Sequence, residues 1–133
     1  MKDNEMRTII VVEADGTLHK LGSDAMELRD WQWLVGGYIE TVPGAKGVTL
    51  ILDENGKLKN KPLNRVATSL YLDFDALVGT VVVADVCTDE NGERDICGLT
   101  DDKLAEVYGF LCEEKAIIDK IARGETPVIA PTL

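Results

Sequence analysis

Short apolar runs separated by turn residues fill most of the chain, and their period is that of strands. Thr8-Ile9-Ile10-Val11-Val12 is followed by Ala14-Asp15-Gly16 and then by Thr17-Leu18-His19-Lys20-Leu21, where apolar and polar residues alternate. Val48-Thr49-Leu50-Ile51-Leu52 precedes Asp53-Glu54-Asn55-Gly56, with Lys57-Leu58-Lys59-Asn60-Lys61 behind it. The most apolar run, Val78 to Val86, precedes Asp89-Glu90-Asn91-Gly92, and Glu93 to Cys97 returns from it. Asn-Gly and Asp-Gly favour primed turns, because both central positions need a positive φ that Gly and Asn tolerate best. The pattern predicts three hairpins plus one strand over Tyr38-Ile39-Glu40-Thr41-Val42, with antiparallel pairing dominant.

Helical spacing fills the gaps. Asp24-Ala25-Met26-Glu27 has capping-box spacing, and Leu28, Trp31, Leu34 and Val35 form an apolar stripe that Gly36-Gly37 ends. A short helix is expected from Leu63 or Asn64 to Tyr71, entered through Pro62. The longest starts at Thr100-Asp101-Asp102, carries Leu104, Val107, Leu111, Ile118 and Ile121, and stops near Gly124. Its stripe breaks at Glu113-Glu114-Lys115, so either the helix kinks there or its second half leaves the core to meet a partner. The elements define an α+β fold: a curved, mainly antiparallel sheet that can approach barrel-like closure, with about three helices packed on one side. Residues 1–133 read as one domain, with residues 104–133 a C-terminal helix and tail extending from it.

Charge narrows the function classes. Of 133 residues, 14 are Lys or Arg and 24 are Asp or Glu, a net charge of −10. General nucleic-acid binding needs a basic footprint and is excluded on that balance. No apolar stretch reaches the roughly 18–20 residues that cross a bilayer, and Met1 to Arg7 mixes charges with no apolar segment behind it. The expectation is therefore a cytoplasmic protein without membrane association. Cys87, Cys97 and Cys112 show no CxxC spacing. Free thiols are the expectation in a reducing compartment, although the third hairpin brings Cys87 and Cys97 close enough for a disulfide to be conceivable.

Catalytic signals are sparse. His19 is the only imidazole and reads as an ordinary strand residue, with no nucleophile motif beside it. Gly44-Ala45-Lys46-Gly47 lacks the spacing of a phosphate loop, and the acidic turn at Asp89 lacks the ligand register of a calcium loop. No cofactor, no metal site and no catalytic residue is nominated.

The distribution of charge is more informative than its total. From Asn55 to Leu72 the chain has no acidic residue but carries Lys57, Lys59, Lys61 and Arg65, leaving −14 on the remainder. Spaced by two, the lysines would share one face of a strand, with Asn64 adding hydrogen-bonding capacity and Arg65 standing at a helix start. That arrangement suits a small anionic ligand. It equally suits the solvated face of an edge strand, where lysines guard against edge-to-edge pairing.

Three segments in order, Leu34-Val35-Gly36-Gly37-Tyr38-Ile39-Glu40-Thr41-Val42, Pro62-Leu63-Asn64-Arg65-Val66-Ala67-Thr68-Ser69-Leu70-Tyr71 and Val78-Gly79-Thr80-Val81-Val82-Val83, carry a family likeness. The chain resembles, over about residues 7 to 105, a small uncharacterised domain family of bacteriophages, plasmids and their bacterial hosts, a domain of unknown function. The resemblance implies a mobile-element accessory protein in a bacterial host cell, and transfers no activity. It draws attention to Tyr38, Glu40, Asn64 and Arg65. Two functions compete on these grounds. One is a non-catalytic module binding a small anionic, nucleotide-like ligand through Lys57, Lys59, Lys61, Asn64, Arg65, Tyr38 and Glu40. The other is an acidic inhibitor that engages a basic or DNA-binding host protein. The second half of the long helix and the tail at Val128-Ile129-Ala130-Pro131 also offer a surface for a homodimer.

Overall fold

The computed structural model describes residues 7–125. Strands β1 (Thr8–Val12) and β2 (Leu18–Gly22) form the first hairpin, and helix α1 (Leu28–Val35) follows. Strand β3 (Ile39–Pro43), a 3-10 turn (Ala45–Gly47) and strand β4 (Thr49–Asp53) come next. Helix α2 (Arg65–Thr68), strands β5 (Val81–Thr88) and β6 (Arg94–Cys97), and helix α3 (Asp101–Ala122) complete the chain.

The sheet runs β2-β1-β5-β4-β3, with β6 continuing the ladder along the second half of β5, and each of these pairings is antiparallel. Composition explains the order. β1, β4 and the first half of β5 are continuous apolar runs, so they occupy the centre, where both faces are covered. β2 and β3 carry mostly exposed residues, with His19-Lys20 and Glu40-Thr41 at their centres, and lie at the edges.

Two layers of apolar side chains follow from strand alternation. On one face Ile10, Val12, Leu50, Leu52, Val81 and Val83 pack under Val66 and Leu70 near α2 and under Val107 and Leu111 of α3. On the other, Ile9, Val11, Ile51, Val82 and Ala84 pack under Trp31 and Val35 of α1. The α+β class is as expected, but two features of the architecture are not. The sheet stays open rather than closing into a barrel, and helices cover both faces rather than one. Both differences follow from central strands that are apolar on each side and must be buried on each side.

The first and third hairpins form as the pattern predicts. The second does not. β4 pairs with β3, the strand expected to stand alone, in the register Ile39↔Asp53 to Pro43↔Thr49. Lys57 to Asn60 lie in consecutive turns after β4, with Asn60 left-handed at φ 57°, and Lys61 follows them. The thiol expectation is corrected too: Cys87 and Cys97 are joined by a disulfide, and Cys112 is free. Register explains it, since Cys87 faces Asp95 and Cys97 faces Asp85, which puts the cysteines on one diagonal of the same face. α3 runs as one helix through Glu113-Glu114-Lys115. In its second half Ile118 is half-buried against the core while Ile121 is 55% exposed. The apolar tail at Val128 to Pro131 lies outside the described residues.

Asn64 joins the layers. It is fully buried, and its side-chain oxygen caps α2 by accepting the Ala67 amide at 3.0 Å. Its amide group donates to the Val12 carbonyl at 2.9 Å and the Gly79 carbonyl at 2.8 Å, so the ends of β1, β5 and α2 meet on one side chain. Asn64→Ala removes three buried hydrogen bonds and is expected to lower stability by about 2–4 kcal/mol, read from urea unfolding midpoints at constant m. Asn64→Asp keeps the cap but aims a carboxylate at two carbonyls, so its loss at neutral pH should exceed that of Asn64→Ala.

Candidate functional site

The basic window is organised by a carboxylate. Asp53 ends β4 two residues after Ile51, so strand alternation turns it inward, where only 3% of it is exposed. An ionised carboxylate there must be paired. Its Oδ1 accepts the Asn55 amide at 2.9 Å, and its Oδ2 accepts Lys59 Nζ at 2.8 Å and Lys61 Nζ at 2.7 Å. The same two ammonium groups also reach the end of α1: Lys59 donates to the Gly36 carbonyl at 3.1 Å and Lys61 to the Val35 carbonyl at 2.7 Å. Carbonyls at a helix C-terminus lack helical partners and favour cations. Burial alone would raise the Asp53 carboxyl, but the hydrogen bonds from Lys59, Lys61 and the Asn55 amide outweigh it and hold the pKa at about 2.

This cluster also explains the paired glycines. Gly36 closes α1 at φ 79°, and a Cβ on Gly37 would lie 2.5 Å from Asp53 Oδ1 and 2.7 Å from Lys59 Nζ. Gly37 is where a backbone passes directly against a buried ion cluster.

The residues singled out in the sequence thus fall in separate places. Lys59 and Lys61 clamp Asp53. Lys57 pairs with Asp75 on the surface, and its ammonium holds the Asp75 carboxyl below the ordinary range, helped by the Ala76 amide. Asn64 is buried in the joint described above. Arg65 is exposed at the start of α2 and borders a pocket with Ile118, Ile121 and Ala122 of α3. Tyr38 is 68% exposed beside β3. Glu40 shares one recess with Lys57, and among the described residues no cation is bound to it.

That recess lies between β3, the end of β4 and the loop from Tyr71 to Val78, and encloses about 170 Å³. Glu40, Glu54 and Asp75 stand at its polar side with Lys57, while Val42, Leu52, Leu58, Tyr71, Leu77 and Val78 supply apolar wall. Sequence reading missed Glu54, Tyr71 and Asp75. No local signal marks them, because they meet only when the Tyr71–Val78 loop returns over β3 through the Gly44–Tyr71 bridge. Small-molecule pockets usually span about 300–1,000 Å³. This one is the size of a single side chain, with carboxylates to accept hydrogen bonds from a cationic head and apolar walls for a methylene stem. Among the described residues no three His, Cys, Asp or Glu side chains converge as a metal site, and no helix is long and apolar enough to cross a membrane.

Fold and recess together define a small α+β domain with an open six-stranded sheet and an acidic, side-chain-sized recess beside one edge strand. The chain belongs to the family described as a domain of unknown function (DUF3846), whose model matches residues 6–110. The match takes in the sheet, α1, α2 and the first half of α3, and so includes both the Asp53 cluster and the recess. No curated protein and no solved structure matches the chain.

The Asp53 cluster makes stability acid-sensitive in a defined window. The folded pKa of about 2 lies below the ordinary 3.8, so the contribution is complete above about pH 4 and is lost as pH falls through the folded value. Its full size is at most about 2 kcal/mol, reduced because the lysine ends remain partly in water. Asp53→Asn removes that term, so the stability gap between wild type and variant should narrow between about pH 4 and pH 2. Chemical denaturation at stepped pH measures it.

Proposed function

We propose that this domain is a non-catalytic interaction module for a basic protein, and that it seats one lysine or arginine side chain of that partner in the Glu40–Glu54–Asp75 recess. The observation that carries the reading is how charge is spent. Lys57, Lys59, Lys61, Lys103 and Lys115 each pair with a carboxylate of the chain itself. Glu40 and Glu54, in contrast, hold no cation among the described residues while facing a recess of the right size. The surplus of carboxylates elsewhere, on a chain of net charge −10, adds a field that draws in a cationic partner and speeds encounter. The sole imidazole, His19 of β2, pairs with Glu13 and does not line the recess, which leaves the site binding groups rather than a nucleophile and base.

A titration of the isotopically labelled protein with acetyl-arginine-amide, and then with a short Lys/Arg peptide, tests this by NMR. Amide shifts should cluster at Val42, Glu54, Tyr71 and Asp75. Glu40→Gln combined with Glu54→Gln should weaken binding about tenfold or more, since each charge-assisted bond is worth about 1.5–3 kcal/mol. Shifts scattered over the whole acidic surface and untouched by the double substitution would refute the site.

A small anionic, nucleotide-like ligand is the other reading, and Arg65 is what supports it. Its guanidinium borders a pocket of about 230 Å³ whose other walls, Ile118, Ile121 and Ala122, are apolar. Calorimetry with nucleoside mono- and triphosphates separates the two. Heat that Arg65→Ala abolishes would favour the anion over the basic partner.

A further inference from the structure

Strand β3 offers a partner its backbone as well as the Glu40 side chain. The Glu54 amide donates to the Tyr38 carbonyl at 2.9 Å, and the Gly44 amide donates to the Val48 carbonyl at 2.9 Å. These two bonds bracket the β3–β4 ladder and fix its phase. Bonded pairs alternate along an antiparallel ladder, so Glu40 and Val42 also turn their amides and carbonyls to β4. Ile39 and Thr41 turn theirs the other way, to the outer side of the sheet, where β3 is the last strand. Among the described residues no strand or loop takes them up. The chain begins to cover this edge and then stops. Tyr71 bridges Gly44 in the antiparallel sense, and the Ala45 amide donates to the Leu70 carbonyl at 2.7 Å. Pro43, which has no N–H, ends the open stretch on that side.

Side chains alternate across the open stretch. Glu40 and Val42 line the recess, whereas Thr41 and Pro43 wall a trough on the other face. Arg94 and Asp95 put one charge of each sign on that trough, so it sets no charge preference. The recess does. Lys57 is committed to Asp75, and Lys59 and Lys61 to Asp53, while Glu40 and Glu54 hold no cation among the described residues. A residue added opposite Glu40 would stand in a non-hydrogen-bonded pair, the kind whose side chains lie closest.

We infer that the basic partner adds an extended segment antiparallel to the outer edge of β3, with a lysine or arginine opposite Glu40 and an uncharged, β-branched residue opposite Thr41. This rests on the recess reading above and supplies the backbone geometry that delivers the side chain. Main-chain bonds hold the segment and alternate side chains select it. Antiparallel is the sense in which Tyr71 already meets this edge. A second copy of the chain is the poorer occupant, because pairing β3 with itself brings two Glu40 carboxylates and two acidic recesses together. The opposite edge strand, β2, carries Lys20, the type of residue that blunts an edge, whereas the single charge on β3 is Glu40.

The probe is a capped heptapeptide of alternating arginine and valine, titrated into the full chain by calorimetry. With arginine opposite Glu40, the valine amides bond β3 and the arginine amides point away. N-methylation of the valine amides should weaken binding about tenfold or more, and N-methylation of the arginine amides less than about threefold. Thr41→Pro deletes an outward N–H that β4 does not use, at an edge position where proline is tolerated. It should cost the heptapeptide about tenfold and leave acetyl-arginine-amide binding unchanged. In wild type the heptapeptide should slow hydrogen exchange of the Ile39 and Thr41 amides about tenfold, a readout that stands even where Thr41→Pro does not fold. Equal losses from the two methylation patterns, or unchanged exchange at Ile39 and Thr41, overturn strand addition. Acetyl-arginine-amide binding that is still sensitive to Glu40→Gln would then leave the recess reading intact, whereas no binding of either probe removes both. Exchange at Ile39 and Thr41 that slows with protein concentration alone would make the occupant a second copy and overturn the basic segment.

Discussion

The Asp53 carboxylate joins three parts of the chain that share no secondary structure: the end of β4, the turns from Glu54 to Lys61, and the C-terminus of α1. Two lysines bridge it to carbonyls that a helix end leaves without partners. Because the carboxylate is buried and the lysines arrive from its own loop, the loop must curl rather than extend. That curl prevents a second local hairpin and frees β4 to pair with β3. The close approach at Gly37 and the exit of the chain into β3 depend on the same cluster.

Spending the lysines this way changes the surface that remains. Of the four cations in a window that looks like an anion site, Lys59 and Lys61 become counter-ions of a buried carboxylate and Lys57 pairs with Asp75 on the surface, while Arg65 stays exposed. The recess at Glu40 is built on β3, an edge strand whose Glu40 and Thr41 are exposed, and it is closed by a loop that Asp75 and Lys57 tie back.

Much of the fold was legible because it is encoded locally. The continuous apolar runs at Ile9 to Val12, Leu50 to Leu52 and Val81 to Ala84 identify the central strands. Gly36 ends α1, Asn64 caps α2 and Thr100 precedes α3, as short-range hydrogen-bonding chemistry requires. Asn64 and Glu40 were marked by motif alone, and the structure places them differently, one as a buried joint and the other as a carboxylate that holds no cation among the described residues. Asp53 was read as a turn residue, although its place two positions after Ile51 already turned it toward the interior.

The sequence by itself determined the α+β class, the central strands, the end of α1, the bounds of α3 and two of the three hairpins, because periodicity and capping act over a few residues; it misplaced the start of α1, which is capped by Glu27 with Asp30 rather than by Asp24 with Glu27, and the end of α2, which stops at Thr68 rather than Tyr71. Tertiary structure alone decided which strand β4 pairs with, that the sheet stays open with helices on both faces, that Cys87 meets Cys97, and where the lysines point. Those outcomes turn on a buried charge and its counter-ions, and a carboxylate in a low-dielectric interior selects partners by distance in space rather than by distance along the chain.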